Sequence, residues 1–255
     1  MLADIHYAPL LEHITAPQKA QLEQFAELLM DEAMPAGFIG DCSKAELYLR
    51  HIFDAILPAI ASESHATFPL LQEQPLEVFD LGAGAGLPSL PLAILFPQHR
   101  FHLLDAQEKR CRFAESAAGR VGLANAKVYH GVVQDFRKKY PSAPAADIVI
   151  FRAFRKILAA LELSLHVLRN PQGGAAAAAY PKVLYWRSQS VPFSATGLAR
   201  VADLGYETDT FVKFASAAEI LPRGLYTFSR RRAAKPGFPR SWKKISNDKL
   251  VETES

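Results

Sequence analysis

A chain of 255 residues, 49% hydrophobic and 22% charged, is long enough to bury one full-sized core and fits one large α/β domain with a small appended part. It opens with no basic stretch leading into an apolar run and a cleavage site, and no window approaches eighteen uninterrupted apolar residues, so a cytoplasmic protein without a membrane span is expected. The net charge of +3 conceals an asymmetry: up to Glu77 there are twelve acidic residues against Lys19, Lys44 and Arg50, whereas Arg223 to Lys249 holds nine basic residues against Asp248 alone. One end repels phosphate and the other attracts it.

Thr15-x-x-Gln18 and Ser43-x-x-Glu46 have the capping-box pattern, in which a hydroxyl and the side chain three residues on satisfy orphan amides at a helix start. The first helix would bury Leu22, Phe25, Leu28 and Leu29, and the second Leu47, Ile52, Ala55, Ile56 and Ala59, each at helical spacing. Between them Met34 to Asp41, with Pro35, Gly37 and Gly40, reads as a loop. Cys42 and Cys111 lack metal-ligand spacing and read as reduced structural thiols.

From Leu76 the pattern becomes short apolar runs alternating with longer amphipathic stretches, the signature of βα units around a largely parallel sheet. Strands are expected near Leu76–Leu81, Arg100–Asp105, Lys127–Tyr129, Asp147–Phe151, Ala175–Tyr180, Thr208–Phe214 and Leu225–Ser229. Helices would fill Pro88–Phe96, Gln107–Val121, Ile157–Leu168 and Ser194–Asp203. Ala215 to Gly224 is too short for a helical crossover, so the last two strands should pair antiparallel. The organisation is then an N-terminal helical extension over 1–72, an α/β domain over 73–232 and a basic tail over 233–255.

The most informative stretch runs Asp80-Leu81-Gly82-Ala83-Gly84-Ala85-Gly86-Leu87-Pro88. Glycines at 82, 84 and 86 let the backbone turn sharply and approach a ligand, and the helix that follows offers free amides to an anion. The spacing is G-x-G-x-G, where dinucleotide binders prefer G-x-G-x-x-G, and an acidic residue ends the preceding strand. Both features favour S-adenosylmethionine over a nicotinamide dinucleotide. Asp105 closes the second strand, where nucleoside-binding α/β proteins place a carboxylate on the ribose hydroxyls.

These residues resemble the RsmG (GidB) family, bacterial methyltransferases that modify N7 of a guanine in small-subunit (16S) ribosomal RNA. The loop Asp80–Pro88 is similar to the family's D-x-G-x-G-x-G-x-P, and Leu104-Asp105-Ala106 with Lys109-Arg110 and Arg112-Phe113 to its L-D-S…K-R…F element. Arg50-His51-Ile52-Phe53-Asp54-Ala55, Phe151-Arg152-Ala153-Phe154 and the tail around Pro236–Arg240 resemble further family segments, so the likeness runs from about Ala16 to Leu250.

The resemblance implies a Rossmann-like class I methyltransferase fold, a mostly parallel seven-stranded sheet with an antiparallel last strand and N-terminal helices in front. It implies S-adenosyl-L-methionine as cofactor and ribosomal RNA or the small ribosomal subunit as partner; a monomer is expected. Carried over by residue, the cofactor contacts are Gly82, Gly84, Gly86, Leu87, Asp105, Val133, Gln134 and Arg152. Arg152 and Lys182, read as lying just past the carboxyl ends of the fourth and fifth strands, and Arg230, Arg231 and Arg232 are the candidate substrate contacts.

The chain departs from the family at several points. Gln134 stands where glutamate is usual, Ser89 where a glycine is, Ala36–Cys42 where the family has N-L-T, and only Lys182 matches its K-G pair. No catalytic side chain is expected, because guanine N7 already presents a lone pair with no proton to remove. Two other readings remain open at this point: a cofactor-binding protein without catalysis, and a methyltransferase acting on a small molecule or protein. A basic rim around the pocket would favour RNA.

Overall fold

In a computed structural model, residues 14–60, 68–154, 156–171, 181–187, 193–214 and 223–249 are described. Both capping boxes form. Thr15 and Gln18 start α1 (Ala16–Leu28), and Ser43 and Glu46 start α2 (Lys44–Leu47). Neither helix continues as plain α-helix: α1 runs into a π-helical turn at Leu29–Ala33, and α2 reaches α3 (Asp54–Ile60) through a π-helical turn at Tyr48–Phe53. All nine apolar positions expected inside these helices are buried.

The sheet contains β1 (Glu77–Leu81), β2 (Arg100–Asp105), β3 (Ala126–His130), β4 (Ile148–Arg152), β5 (Lys182–Arg187), β6 (Tyr206–Phe214) and β7 (Arg223–Arg230). Their order is β3-β2-β1-β4-β5-β7-β6. Strands β1 to β5 pair in parallel, and β7 lies antiparallel between β5 and β6. The expected antiparallel pairing of the last two strands is present. The connecting helices are α4 (Ser89–Leu95), α5 (Glu108–Val121), α6 (Phe136–Lys139), α7 (Ile157–Ser164) and α8 (Ala195–Asp203), and α9 (Trp242–Ser246) follows the sheet.

The fifth strand needs a correction. The sequence reading set it at Ala175–Tyr180, a stretch outside the described residues, whereas β5 occupies Lys182–Arg187. The run Val183-Leu184-Tyr185-Trp186 carries the branched and aromatic side chains that pack on a pleated surface, which alanine lacks, and Pro181 stands just before the strand, where a missing amide does no harm.

Alternate strand residues feed two cores. Val78, Leu103, Ile148, Ile150 and Leu184 pack on the face covered by α1, α3, α4 and α5, and Phe79, Leu104, Val149, Phe151 and Val183 on the face covered by α7 and α8. The N-terminal helices share the first core, with Leu22, Phe25 and Leu29 in the same cluster as Leu92 and Ala117. Glutamines on α1 stitch the join, Gln18 donating to the Ile94 carbonyl at 3.1 Å and Gln21 to the Val121 carbonyl at 2.9 Å.

Because the helices and the sheet share a core, truncating α1 should weaken the whole molecule. Phe25 is fully buried, and Phe25→Ala is expected to lower unfolding stability by about 3–5 kcal/mol while leaving one cooperative transition. Chemical denaturation followed by both fluorescence and circular dichroism would check it. An early transition confined to helix loss would show that the N-terminal helices fold apart from the sheet.

Candidate functional site

The strand order reverses between β1 and β4: β2 and β3 are added on one side of β1, and β4 and β5 on the other, all five parallel. Open α/β sheets bind ligands at such a switch point, outside the carboxyl ends of the strands. There the glycine loop leaves β1. Gly82, Gly84 and Gly86 all have positive φ (88°, 55° and 83°), a conformation that side chains with a Cβ resist. A Cβ on Gly82 would fall 2.8 Å from the Phe154 ring, so the loop lies directly against the segment that follows β4.

Asp105 is built into this loop. Its Oδ2 accepts from the Gly84 amide at 2.9 Å and its Oδ1 from the Gln107 amide at 2.8 Å. A carboxylate has about four acceptor sites, so two remain after both bonds. Asp80 lies deeper and fully buried, its Oδ2 accepting the Ser89 hydroxyl at 2.7 Å. Ser89 replaces the family's usual glycine, and its buried hydroxyl is the partner of Asp80. Burial pushes the Asp80 carboxyl up to about 7; the Ser89 bond and the nearby Arg152 oppose the rise, and Asp105 adds to it.

At the end of β4, Arg152 pairs with Asp54 of α3, Nε at 2.8 Å and Nη2 at 2.7 Å from Oδ2, and Nη2 also donates to the Arg50 carbonyl. The pair is almost enclosed, with side-chain exposures of 11% and 4%. Ala153 follows with φ of 51°, the one positive φ outside glycine among the described residues. Strain of that kind concentrates at ligand sites. The sequence singled out Arg152 but gave no sign of Ala153.

A cleft of about 1170 Å³ opens over these elements. Its lining includes Gly82, Gly84 and Leu87 of the loop, Arg152 to Phe154, and Tyr185 to Arg187 at the end of β5. The N-terminal helices contribute Arg50, His51 and Asp54 together with Phe38–Cys42, the stretch that departs from the family pattern. Gly86, Asp105, Val133 and Gln134 are not on the cleft wall. Gly86 packs on Leu90, Asp105 sits behind Gly84, and Val133 and Gln134 occupy a short 3-10 turn after β3 beside the exposed Val132.

The candidate substrate residues on β5 and β7 lie elsewhere. Lys182 is the first residue of β5, not a residue beyond its end, and its ammonium bonds Asp209 at 3.1 Å and Ser229 at 2.6 Å at the opposite edge of the sheet. Arg187 takes the place at the carboxyl end that Lys182 was expected to hold. Arg230 ends β7 at the same far edge, buried, donating to the carbonyls of Leu168 and Arg169 and to the Asn170 side chain. Arg231 pairs with Glu207 and Asp209, and Arg232 donates to the Ala202 carbonyl. These three arginines close the sheet edge and do not reach the cleft, because an antiparallel β7 ends where the parallel strands begin.

One cleft residue escaped the sequence reading. Arg110 of α5 lines the cleft, and its Nε is buried without a hydrogen-bond partner in the protein. The only signal was the Lys109-Arg110 pair after Asp105. The tail also returns to the site: Trp242, Ile245 and Ser246 of α9 line the cleft.

A family model described as rRNA small subunit methyltransferase G (GidB) matches residues 18–178. The ribosomal RNA small subunit methyltransferase G of Streptococcus agalactiae serotype V is 31% identical over 172 residues, covering 66% of this chain and 70% of that protein. The protein of the same name from Streptococcus sanguinis is 33% identical over 156 residues, covering 61% and 63%. An O-methyltransferase from Bacillus cereus, solved in complex with SAH, aligns over 86% of this chain and 94% of that one, with a TM-score of 0.53 and 17% identity, a likeness of fold. The Rossmann-like class I methyltransferase fold expected from the sequence is the fold observed.

The buried Asp80 gives a test of the site's electrostatics. Its folded-state value of about 7 lies above the ordinary 3.8, so the folded protein holds this proton when the unfolded chain has lost it. The stability that Asp80 contributes is therefore fullest below about pH 4, declines as pH rises and is gone above about pH 7. Asp80→Asn stays neutral and can still accept from Ser89. Its stability advantage over the parent should widen by roughly 2 kcal/mol between pH 5 and pH 8, measured by urea denaturation. A constant gap would show that Asp80 does not titrate in this range.

Proposed function

Because the chain belongs to the rRNA small subunit methyltransferase G family, we propose that it transfers a methyl group from S-adenosylmethionine to N7 of a guanine in small-subunit ribosomal RNA. The observation that carries this reading is a single cleft joining the glycine loop to a cationic rim. Arg50, Arg110, Arg152, Lys156 and Arg187 line it against Asp41 and Asp54, and Asp54 is already paired with Arg152. A rim of that sign favours a phosphate backbone and does little for a neutral small molecule.

The residues fit the cofactor. A Cβ on Gly84 would meet only the Gly82 carbonyl oxygen, at 4.0 Å, and the unpartnered Arg110 Nε suits an anionic group such as the methionyl carboxylate. Asp105, pinned by two amides, keeps acceptor sites for the ribose hydroxyls. Val133 and Gln134, with Val132, would flank the adenine, where a backbone contact tolerates glutamine for glutamate. Gly82, Gly84, Gly86 and Leu87 shape the loop. When bound, the cofactor supplies a methyl group made electrophilic by a sulfonium.

No general base is required, so the chain's own residues act by proximity and alignment. Arg152 works through the geometry it fixes: held by Asp54 and the Arg50 carbonyl, it sets the cleft floor and the position of Ala153 and Phe154. Lys156 and Arg187 stand where they can meet the RNA backbone.

Incubation with labelled S-adenosylmethionine should place label in small-subunit RNA as 7-methylguanine. Asp105→Ala is expected to weaken cofactor binding about tenfold to a hundredfold by calorimetry, the range for a lost hydrogen bond to a charged group. Cofactor binding without any RNA labelling would sink the substrate assignment.

A further inference from the structure

The cleft is larger than one ligand needs. At about 1170 Å³ it exceeds the roughly 300–1,000 Å³ of an ordinary small-molecule site, and its lining falls into two chemically distinct groups. One is the glycine loop with Arg110. The other combines Lys156 and Tyr185–Arg187 with Trp242, Ile245 and Ser246 of α9, a segment beyond the stretch matched by the family model.

That second group has a rigid wall. Arg240, just before α9, grips the buried Glu162 of α7 with Nε at 2.9 Å and Nη2 at 2.7 Å, and its backbone amide donates to the same carboxylate at 2.7 Å. Asp248, just after α9, accepts from Arg240 at 2.7 Å and from Arg200 at 2.8 Å. The helix is thereby clasped at both ends. The guanidinium groups of Arg200 and Arg240 stand 5.5 and 5.4 Å from the centre of the Phe238 ring, which packs on the second core. Trp242 is half-buried, with one part against that core and another on the cleft, flanked by the exposed Lys243 and Lys244.

We infer that Trp242 provides the stacking face for the target base in the cleft, and that the Glu162–Arg240 pair is the positioning device that holds it there. This rests on the reading of the chain as an RNA methyltransferase. Indole stacking tolerates any base and so supplies affinity, while Lys156, Arg187, Lys243 and Lys244 carry the adjacent phosphates. Tyr185 and Trp186 do not compete for the role. Both are buried, Tyr185 donating to the Phe154 carbonyl and Trp186 Nε1 to the Asp54 carbonyl, which makes them supports of the cleft.

The test compares the parent with Trp242→Ala, Trp242→Phe and Arg240→Ala in two assays. Steady-state methylation of small-subunit RNA should show KM for RNA raised at least tenfold in Trp242→Ala, restored to within about threefold in Trp242→Phe, with affinity for S-adenosylhomocysteine unchanged. Arg240→Ala should reproduce the KM defect and become sensitive to trypsin at Lys243 and Lys244. Separately, guanosine monophosphate and a short guanine-containing single-stranded RNA should quench tryptophan fluorescence in the parent and not in Trp242→Phe. Parent-like KM and unaltered quenching in the Trp242 variants would overturn the inference. Quenching that depends on Trp242 in a parent that labels no RNA would uphold the stacking site and refute the methylation reading.

Discussion

The ion pair between Asp54 and Arg152 decides where the site can be. It links α3 to the end of β4 at the switch point, with both side chains nearly enclosed. Trp186 strengthens the link from β5 by donating to the Asp54 carbonyl at 3.1 Å, and Arg152 reaches the Arg50 carbonyl in the π-helical turn. Removing either member would leave a charge buried without its counter-ion, at a cost of about 3–5 kcal/mol. The N-terminal helices are therefore a wall of the cleft, and the π-helical turn brings Arg50 and His51 to its lining.

Charge is divided between the two edges of the sheet. At the amino edge Lys182, Arg230 and Arg231 are absorbed by Asp209, Glu207 and backbone carbonyls. At the carboxyl edge the cations of the cleft outnumber the carboxylates. Residues of α9 therefore line the cleft, and the arginine triplet at the end of β7 does not. Gly205 explains why the triplet is committed: its positive φ lets its carbonyl take the amides of Arg231 and Arg232, and a Cβ there would stand 2.2 Å from the Arg232 carbonyl oxygen.

Local rules made much of this legible. Thr15 and Ser43 announced their helices because capping is decided within four residues, and the glycine loop announced itself because only glycine adopts those backbone angles cheaply. Asp105 was readable from its place at a strand end. What failed depended on register or on distant partners. A strand set at the alanines 175–179 left Lys182 beyond its end, whereas β5 begins at Lys182 and its side chain lies at the other edge of the sheet. A basic run looks alike in sequence whether it meets phosphate or Glu162, and only the fold brings Arg240 to a carboxylate 78 residues away. The positive φ of Ala153 had no sequence signal of its own, and Arg110 was marked only as half of the Lys109-Arg110 pair.

A methyl transfer to a lone pair already exposed asks the protein for alignment more than for a reactive group. That demand accounts for where the buried polar contacts lie. Asp54–Arg152 sets the floor, Asp80–Ser89 underlies the loop, and Glu162–Arg240 fixes the far wall. Buried ionic contacts add little stability beyond what apolar residues of the same shape would give, yet they penalise any displacement of one partner. Two ion pairs and a buried hydrogen bond under one cleft are hard to explain as a way to stabilise the fold. They are what a site would need if its reaction depends on holding two ligands in line.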